Sequence, residues 1–347
     1  MRLLTALAAL AILLAGCIQT PDAAHVDADG AAAGVASAIP AVDAAAVLAD
    51  VKAFSEAYPM RRGDNDAHNA ARAHLAAGYE KNGYELILDE FEADISPTST
   101  PTSLVLGSPR LVNVCGIKWG TANDTDWVVI GAHYDVTDGA VYGAYDDASG
   151  TMIVQRLAEA FAPMSFPRTL VFCNFDGEEQ GLRGSRHMVE AITEGTWAYA
   201  NGTVIGMIDF DMAGIMYPAS PVLVADAVSP EFQAVITAKR EELGIPEDKI
   251  AYRGIRGGSS DNGPFKAAEI PSVLFISDFD EIAYAGQTLP GGVTYPFWHQ
   301  LDTYEGMVEL AEGEENLRAG FQNVVDIGAA LLHALATDMQ PTFQPFE

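Results

Sequence analysis

Several apolar runs in this 347-residue chain end on side chains able to hold a metal ion or move a proton. The run VVIGA (128–132) ends at His133, LVFCNF (170–175) leads to Asp176, Glu178 and Glu179, and GMIDF (206–210) ends at Asp211. With Asp146 and His299, the residues His133, Asp146, Glu179, Asp211 and His299 make two imidazoles and three carboxylates. Zinc accepts both donor types and keeps a position open in catalytic sites, whereas calcium and magnesium avoid histidine. Five donors serve two metals if one carboxylate bridges, and two metals ~3.5–4 Å apart clamp a shared water and polarise a carbonyl. The Glu178–Glu179 pair suits such a centre. On a turn leaving a strand, one glutamate binds metal while its neighbour hangs over the water and acts as a base. No Cys-x-x-Cys occurs, which excludes that form of thiolate zinc site.

Such residues must be delivered to one place by regular elements. Periodicity predicts helices over 43–58, 65–81, 151–161, 230–243 and 314–336, with Asp147 capping the helix that begins near Ser149. Strands are expected over 84–91, 111–117, 127–132, 168–174, 204–208, 222–224 and 272–276, with a Ser/Thr/Pro loop running up to Gly107. Alternating strands and helices, with continuous apolar strands, argue for an α/β fold. The expectation is a three-layer sandwich whose mostly parallel mixed central sheet is flanked by helices. In open sheets of this kind the carboxyl ends of parallel strands form the ligand crevice, which is where the chemistry-bearing residues collect. No linker interrupts 41–347, so this stretch reads as a single catalytic domain. Cys115 and Cys173 lie in apolar strand-like runs; an oxidising compartment permits a disulfide, but buried free thiols are the expectation.

The N-terminus reads as an address. Met1 and Arg2 precede an apolar run over 3–14, too short to span a bilayer permanently but suited to a signal peptide over 1–16. Leu14-Ala15-Gly16-Cys17 resembles a bacterial lipobox, which implies lipidation of Cys17 and an exported protein anchored in the cell envelope. Residues 17–40 hold that cysteine and an Ala/Asp/Gly-rich flexible linker that cannot bury enough surface to order itself. With 48 acidic against 19 basic side chains, the chain carries a formal charge of −29. That surface repels nucleic acid and anionic headgroups, so membrane association is expected only through the lipid on Cys17.

The motifs GAHYD (131–135), DDASG (146–150), FDGEEQGLRGS (175–185), DFDM (209–212) and WHQLDT (298–303) occur in that order. Together with AHNAARAHL (67–75), NVCG (113–116) and SSDNGPF (259–265), they resemble the co-catalytic zinc peptidases of the bacterial leucyl aminopeptidase type. That clan also contains glutamate carboxypeptidases and glutaminyl cyclases. The resemblance covers most of residues 50–337 and implies the zinc exopeptidase fold and two zinc ions per chain. It implies that Asp146 bridges both zincs, that His133 and Asp211 complete one, and that Glu179 and His299 complete the other. It further implies that Glu178 is the general base and that Asp135 accepts a hydrogen bond from His133 and fixes its tautomer. The expected activity is hydrolysis of the N-terminal peptide bond of peptides, with a metal-bridging water as nucleophile.

Some positions depart from the relatives. Asn262 stands where they often carry histidine and is given no metal, and a tyrosine that would align near Gly257 is absent. Arg253 or Arg256 substitutes there, binds a substrate carboxylate, or serves the surface. His68, His74, His187 and His333 do not occupy the ligand positions of these motifs and read as structural or solvent-facing. A carboxypeptidase is the nearest rival reading. A glutaminyl cyclase is a second, although the DDASG stretch favours the peptidase, and a metal-free binding protein with a decayed site is a third.

Overall fold

The computed structural model describes residues 38–94, 109–137, 139–197, 202–216, 223–252, 260–277 and 299–344, together with 283–284, 287–288 and 297. The signal peptide, Cys17 and most of the linker lie outside the described residues, as do the loop over 95–108, Arg253, Arg256 and Gly257. Two helices, α1 (Ala44–Ala57) and α2 (Asp66–Lys81), lead into β1 (Glu85–Glu92) and β2 (Arg110–Lys118). The chain continues through β3 (Asn123–His133), α3 (Ala148–Phe161), β4 (Arg168–Phe175), α4 (Arg183–Glu194) and β5 (Thr203–Phe210). It then forms β6 (Leu223–Ala227), α5 (Pro230–Glu242), β7 (Ile250–Tyr252), α6 (Asn262–Ala267), β8 (Ser272–Ser277), α7 (Tyr304–Leu310) and α8 (Glu314–Thr337).

The helices start where side chains satisfy their first amides. Asp43 accepts from Ala45 N, Asn65 from His68 N, and Asp147 from Gly150 N, each occupying an N-cap. The Asp147 cap places the start of α3 at Ala148, ahead of the apolar period that begins at residue 151. Helices α6 and α7, of 6 and 7 residues, and the three-residue strand β7 carry too few residues for a period to show in the sequence.

Among the described residues, the main sheet runs β1-β2-β4-β3-β5-β8-β6-β7. Its four central strands β4, β3, β5 and β8 are parallel. Antiparallel pairing begins at β2 and β1 on one side and at β6 on the other. All eight residues of β4 are buried, as a strand covered on both faces requires. Alternate residues of β3 serve two cores. Val128 and Ile130 pack with side chains of α1, α2, α3 and α8, while Trp127 and Val129 pack with Met188 and Val189 of α4 and Phe265 of α6. The result is the three-layer α/β sandwich expected, with the carboxyl ends of the parallel strands at one edge.

One expectation is overturned. Cys115 and Cys173 are not free thiols but form a disulfide with Cα atoms 4.1 Å apart. The reason is register: β2 pairs antiparallel with β4, and Cys115 lies directly opposite Cys173.

Candidate metal centre

His133 is the last residue of β3, Asp211 follows β5, and Glu178 and Glu179 sit on the turn between β4 and α4. Asp146 enters just ahead of α3 and His299 ahead of α7. His133 Nε2 lies 3.2 Å from Asp146 Oδ1 and 3.8 Å from Asp211 Oδ1. His299 Nε2 lies 3.3 Å from Glu179 Oε2 and 3.7 Å from Asp146 Oδ2. Asp146 therefore turns one oxygen toward each imidazole. Two donor groups result, His133–Asp146–Asp211 and Asp146–Glu179–His299, and within each the donor atoms lie within 4.8 Å of one another.

So many carboxylates in one place are unfavourable without a cation. Burial, reinforced by neighbouring carboxylates, pushes Glu178 and Glu179 well above the usual carboxylate range. The same two causes raise Asp209 and Asp147, and burial lifts Asp261 to about 7. Burial pulls the His133 imidazole down, yet Asp135, Asp146 and Asp211 together hold it well above its ordinary value. His299 is lowered, chiefly by burial. Asp211 Oδ1 and Glu179 Oε1 are buried and, among the described residues, accept no hydrogen bond. Buried acceptors left without donors, set beside imidazole nitrogens, fit a dication, which relieves their mutual repulsion. The mixed nitrogen and oxygen donor set fits zinc.

Local structure explains how each donor is held. Thr151 Oγ1 donates to the main-chain oxygen of His133 at 2.6 Å. Asp302 accepts from the main-chain amides of Tyr145 and Asp146, both at 2.8 Å. Asp147 ties the start of α3 to the end of β5 by accepting from Gly150 N at 2.8 Å and Met212 N at 3.3 Å. The turn after β4 closes through Gly181 N and Leu182 N on the carbonyl of Glu178. It depends on Gly177 at φ +72°, where an added Cβ would also meet Leu111 Cδ1 at 2.7 Å. A Cβ on Gly139 would fall 2.1 Å from the main-chain oxygen of His299, so glycine there is what lets the His299 segment approach.

Residues 113–306, a range that includes all five of these donors, match peptidase family M28. The chain belongs to this family. It is 29% identical over 168 residues to an aminopeptidase of Bacillus subtilis, covering 47% of this chain and 35% of that protein. It is 24% identical over 215 residues to a probable glutamate carboxypeptidase of Arabidopsis thaliana, covering 55% of this chain and 27% of that protein. The chain thus spans roughly a quarter to a third of the length of these two relatives. The fold matches the crystal structure of a zinc aminopeptidase from Bacillus subtilis with a TM-score of 0.67. That match is at 16% identity and covers 89% of this chain and all of the other. The family and the fold are those the motifs led us to expect.

Within this family M28 chain, Asp135 departs from its expected contact. His133 Nδ1 lies 3.2 Å from the main-chain oxygen of Asp135, while the Asp135 carboxylate is 3.6 Å away. The carboxylate instead accepts from Glu178 N at 3.1 Å and Glu179 N at 3.3 Å. A strand-end carboxylate is the right length to satisfy the open amides of the neighbouring turn, so the carbonyl is left to orient the imidazole. Asp209 accepts from Asn262 N at 2.7 Å and so tethers α6 to β5. His68 is wholly buried, lies 2.9 Å from Asp176 and stacks on Tyr134. His187 stacks on Phe91 and lies 3.2 Å from Asp89. Asp302 and Arg61 escaped the sequence reading as positioning groups. Asp302 carried a signal in the WHQLDT motif, whereas Arg61, in a turn between two helices, carried none.

Proposed function

We propose that this chain is an aminopeptidase that holds two zinc ions and hydrolyses the N-terminal peptide bond of peptides. The observation that carries this reading is Asp146, whose two oxygens face separate donor groups on either side. A single-metal centre has no use for a second complete set. The identity with an aminopeptidase of Bacillus subtilis supports the choice of the N-terminal bond. Zinc held by these residues would polarise the scissile carbonyl and make a bound water acidic near neutral pH.

Glu178 lies in the field of His133, Glu179 and Asp211. It takes a proton from water as the water oxygen attacks the carbonyl carbon. It returns that proton to the amine nitrogen as the carbon–nitrogen bond breaks, leaving a free amino acid and a shortened peptide. Asp135 anchors the main-chain amides of both glutamates, so base and ligand keep different directions on one turn. The substrate α-amino group is drawn to the buried carboxylates of the pocket.

The test is a panel of free-amino and N-blocked peptides, with an N-terminal glutamine peptide and a C-terminal glutamate peptide included, run with chelator and with zinc restored. Release of the N-terminal residue, lost on chelation and recovered with zinc, is expected. Pyroglutamate as the product would replace this reading by a cyclase, and release from the C-terminus by a carboxypeptidase. In the same assay Glu178→Gln should keep its zinc and lose kcat by at least ~10²-fold. Full activity in that variant would remove Glu178 as base.

A further inference from the structure

Arg61 lies in the connection between α1 and α2, is fully buried, and, among the described residues, sends its side-chain hydrogen bonds to main-chain carbonyls and not to the side chain of a candidate ligand. Its guanidinium spends its donors on main-chain carbonyls from two separate stretches. Nε donates to Tyr134 O at 2.7 Å, Nη1 to Tyr142 O at 2.5 Å and Nη2 to Gly143 O at 2.7 Å. The carbonyl of Arg61 in turn accepts from Val136 N at 3.0 Å. Tyr134 stands between His133 and Asp135, so one prong grips the exit of β3. Gly143 O also accepts from Ala148 N, the first residue of α3, so the other prongs grip the approach to Asp146. Gly143 adopts φ +54°, and a Cβ there would meet the main-chain oxygen of Asp146 at 2.5 Å. The two gripped stretches carry His133 for one donor group and Asp146 for both.

Burying a cation is costly unless it is paired and hydrogen-bonded. Carbonyls supply the hydrogen bonds, and the charge is offset by the surrounding carboxylates of Asp302, Asp147, Asp135 and Asp146. Burial pulls the guanidinium down to about 10, which leaves it charged at neutral pH. The Phe54 ring, 5.1 Å from Cζ, packs against the group. A lysine would keep the charge, but its flexible ammonium does not match three carbonyls at fixed angles as a planar fork does.

We propose that Arg61 is a positioning residue of the metal centre, a fork that holds His133 and Asp146 at ligand spacing through the main chain. This rests on the metal reading above and extends it to a residue outside the motifs. Charge and geometry predict opposite signs. A cation beside a dication site weakens metal binding by repulsion, so loss of the charge alone would tighten zinc. Loss of the fork would loosen it.

The experiment compares wild type, Arg61→Met and Arg61→Lys by zinc competition against a chromophoric chelator. Circular dichroism of the metal-free proteins and kcat and KM of the zinc-loaded ones accompany it. Both variants are expected to fold and to lose affinity for at least one zinc by about 10–100-fold, the usual scale for groups that orient ligands. Because the defect lies in the centre and not in substrate contact, it should fall on kcat with KM little changed. Lysine should not restore binding. Unchanged or tighter zinc binding, full restoration by lysine, or failure of both variants to fold would each overturn the proposal. If Arg61→Met alone fails to fold, Arg61→Lys carries the comparison. Wild type that binds no zinc would remove the metal reading itself, whereas zinc-binding wild type with unaffected variants removes only the role of Arg61.

Discussion

The two halves of the centre are built differently. His133 is 1% exposed, ends a strand inside a parallel sheet, and has its carbonyl and ring held by Thr151 and Asp135. His299 is 29% exposed and sits at φ +56°, a left-handed conformation costing roughly 1–2 kcal/mol for a non-glycine residue. It comes from a segment laid against Gly139 and followed by Asp302, whose carboxylate holds the amide of Asp146. One half is therefore part of the sheet and the other is brought to it. On the proposed metal reading, a centre can rest on the end of a buried strand and still take its outer donor from a connection, provided one shared group, here Asp146, belongs to both.

The most severe way to break this comparison is Asp146→Asn. It removes the charge common to both groups, so on the proposed two-zinc reading both ions should be lost together and peptidase activity should fall to background. Metal analysis of the purified variant checks this, and one zinc retained at wild-type affinity would end the shared role. A pair of variants separates the halves. His133→Ala and His299→Ala should each cost at least the ~10–100-fold that loss of an orienting contact already costs. Excess zinc should restore part of the activity of His299→Ala, where the site is open, and little of that of His133→Ala. Equal rescue in a zinc titration would erase the distinction between fixed and delivered ligands.

The smallest effect sharpens the account of the fixed half. Burial pulls His68 down, but the charge and hydrogen bond of Asp176 outweigh it and its pKa is raised. The unfolded imidazole titrates near ~6.5. The pair therefore contributes stability that is fully present below that pH and is lost as pH rises through the higher folded value. His68→Gln keeps a donor without the charge. The gap in thermal midpoint between wild type and this variant, both metal-free, should be widest below about pH 6.5 and should narrow as pH rises. A gap independent of pH would show that His68 packs on Tyr134 without contributing through its charge.

The seven longer strands of the main sheet, their order of chemistry-bearing ends, and the Asp147 cap at the start of α3 were legible from the chain alone. They depend on local quantities: apolar runs that demand burial on both faces, and short polar side chains that satisfy helix amides two or three residues on. The donor types at His133, Asp146, Glu179, Asp211 and His299 were legible for the same reason, since ligand chemistry belongs to the side chain wherever it sits. What the chain did not reveal depends on sheet order and register. Because β2 lies beside β4 and not beside β3, Cys115 meets Cys173 across 58 residues of sequence. Because the turn after β4 leaves its amides open beside β3, the Asp135 carboxylate turns to Glu178 and Glu179 and leaves its carbonyl to His133. Arg61 shows the limit most clearly. A fork that grips carbonyls leaves no pattern in side-chain types, because a main-chain acceptor is the same in every residue and only the packed fold says which ones come within reach.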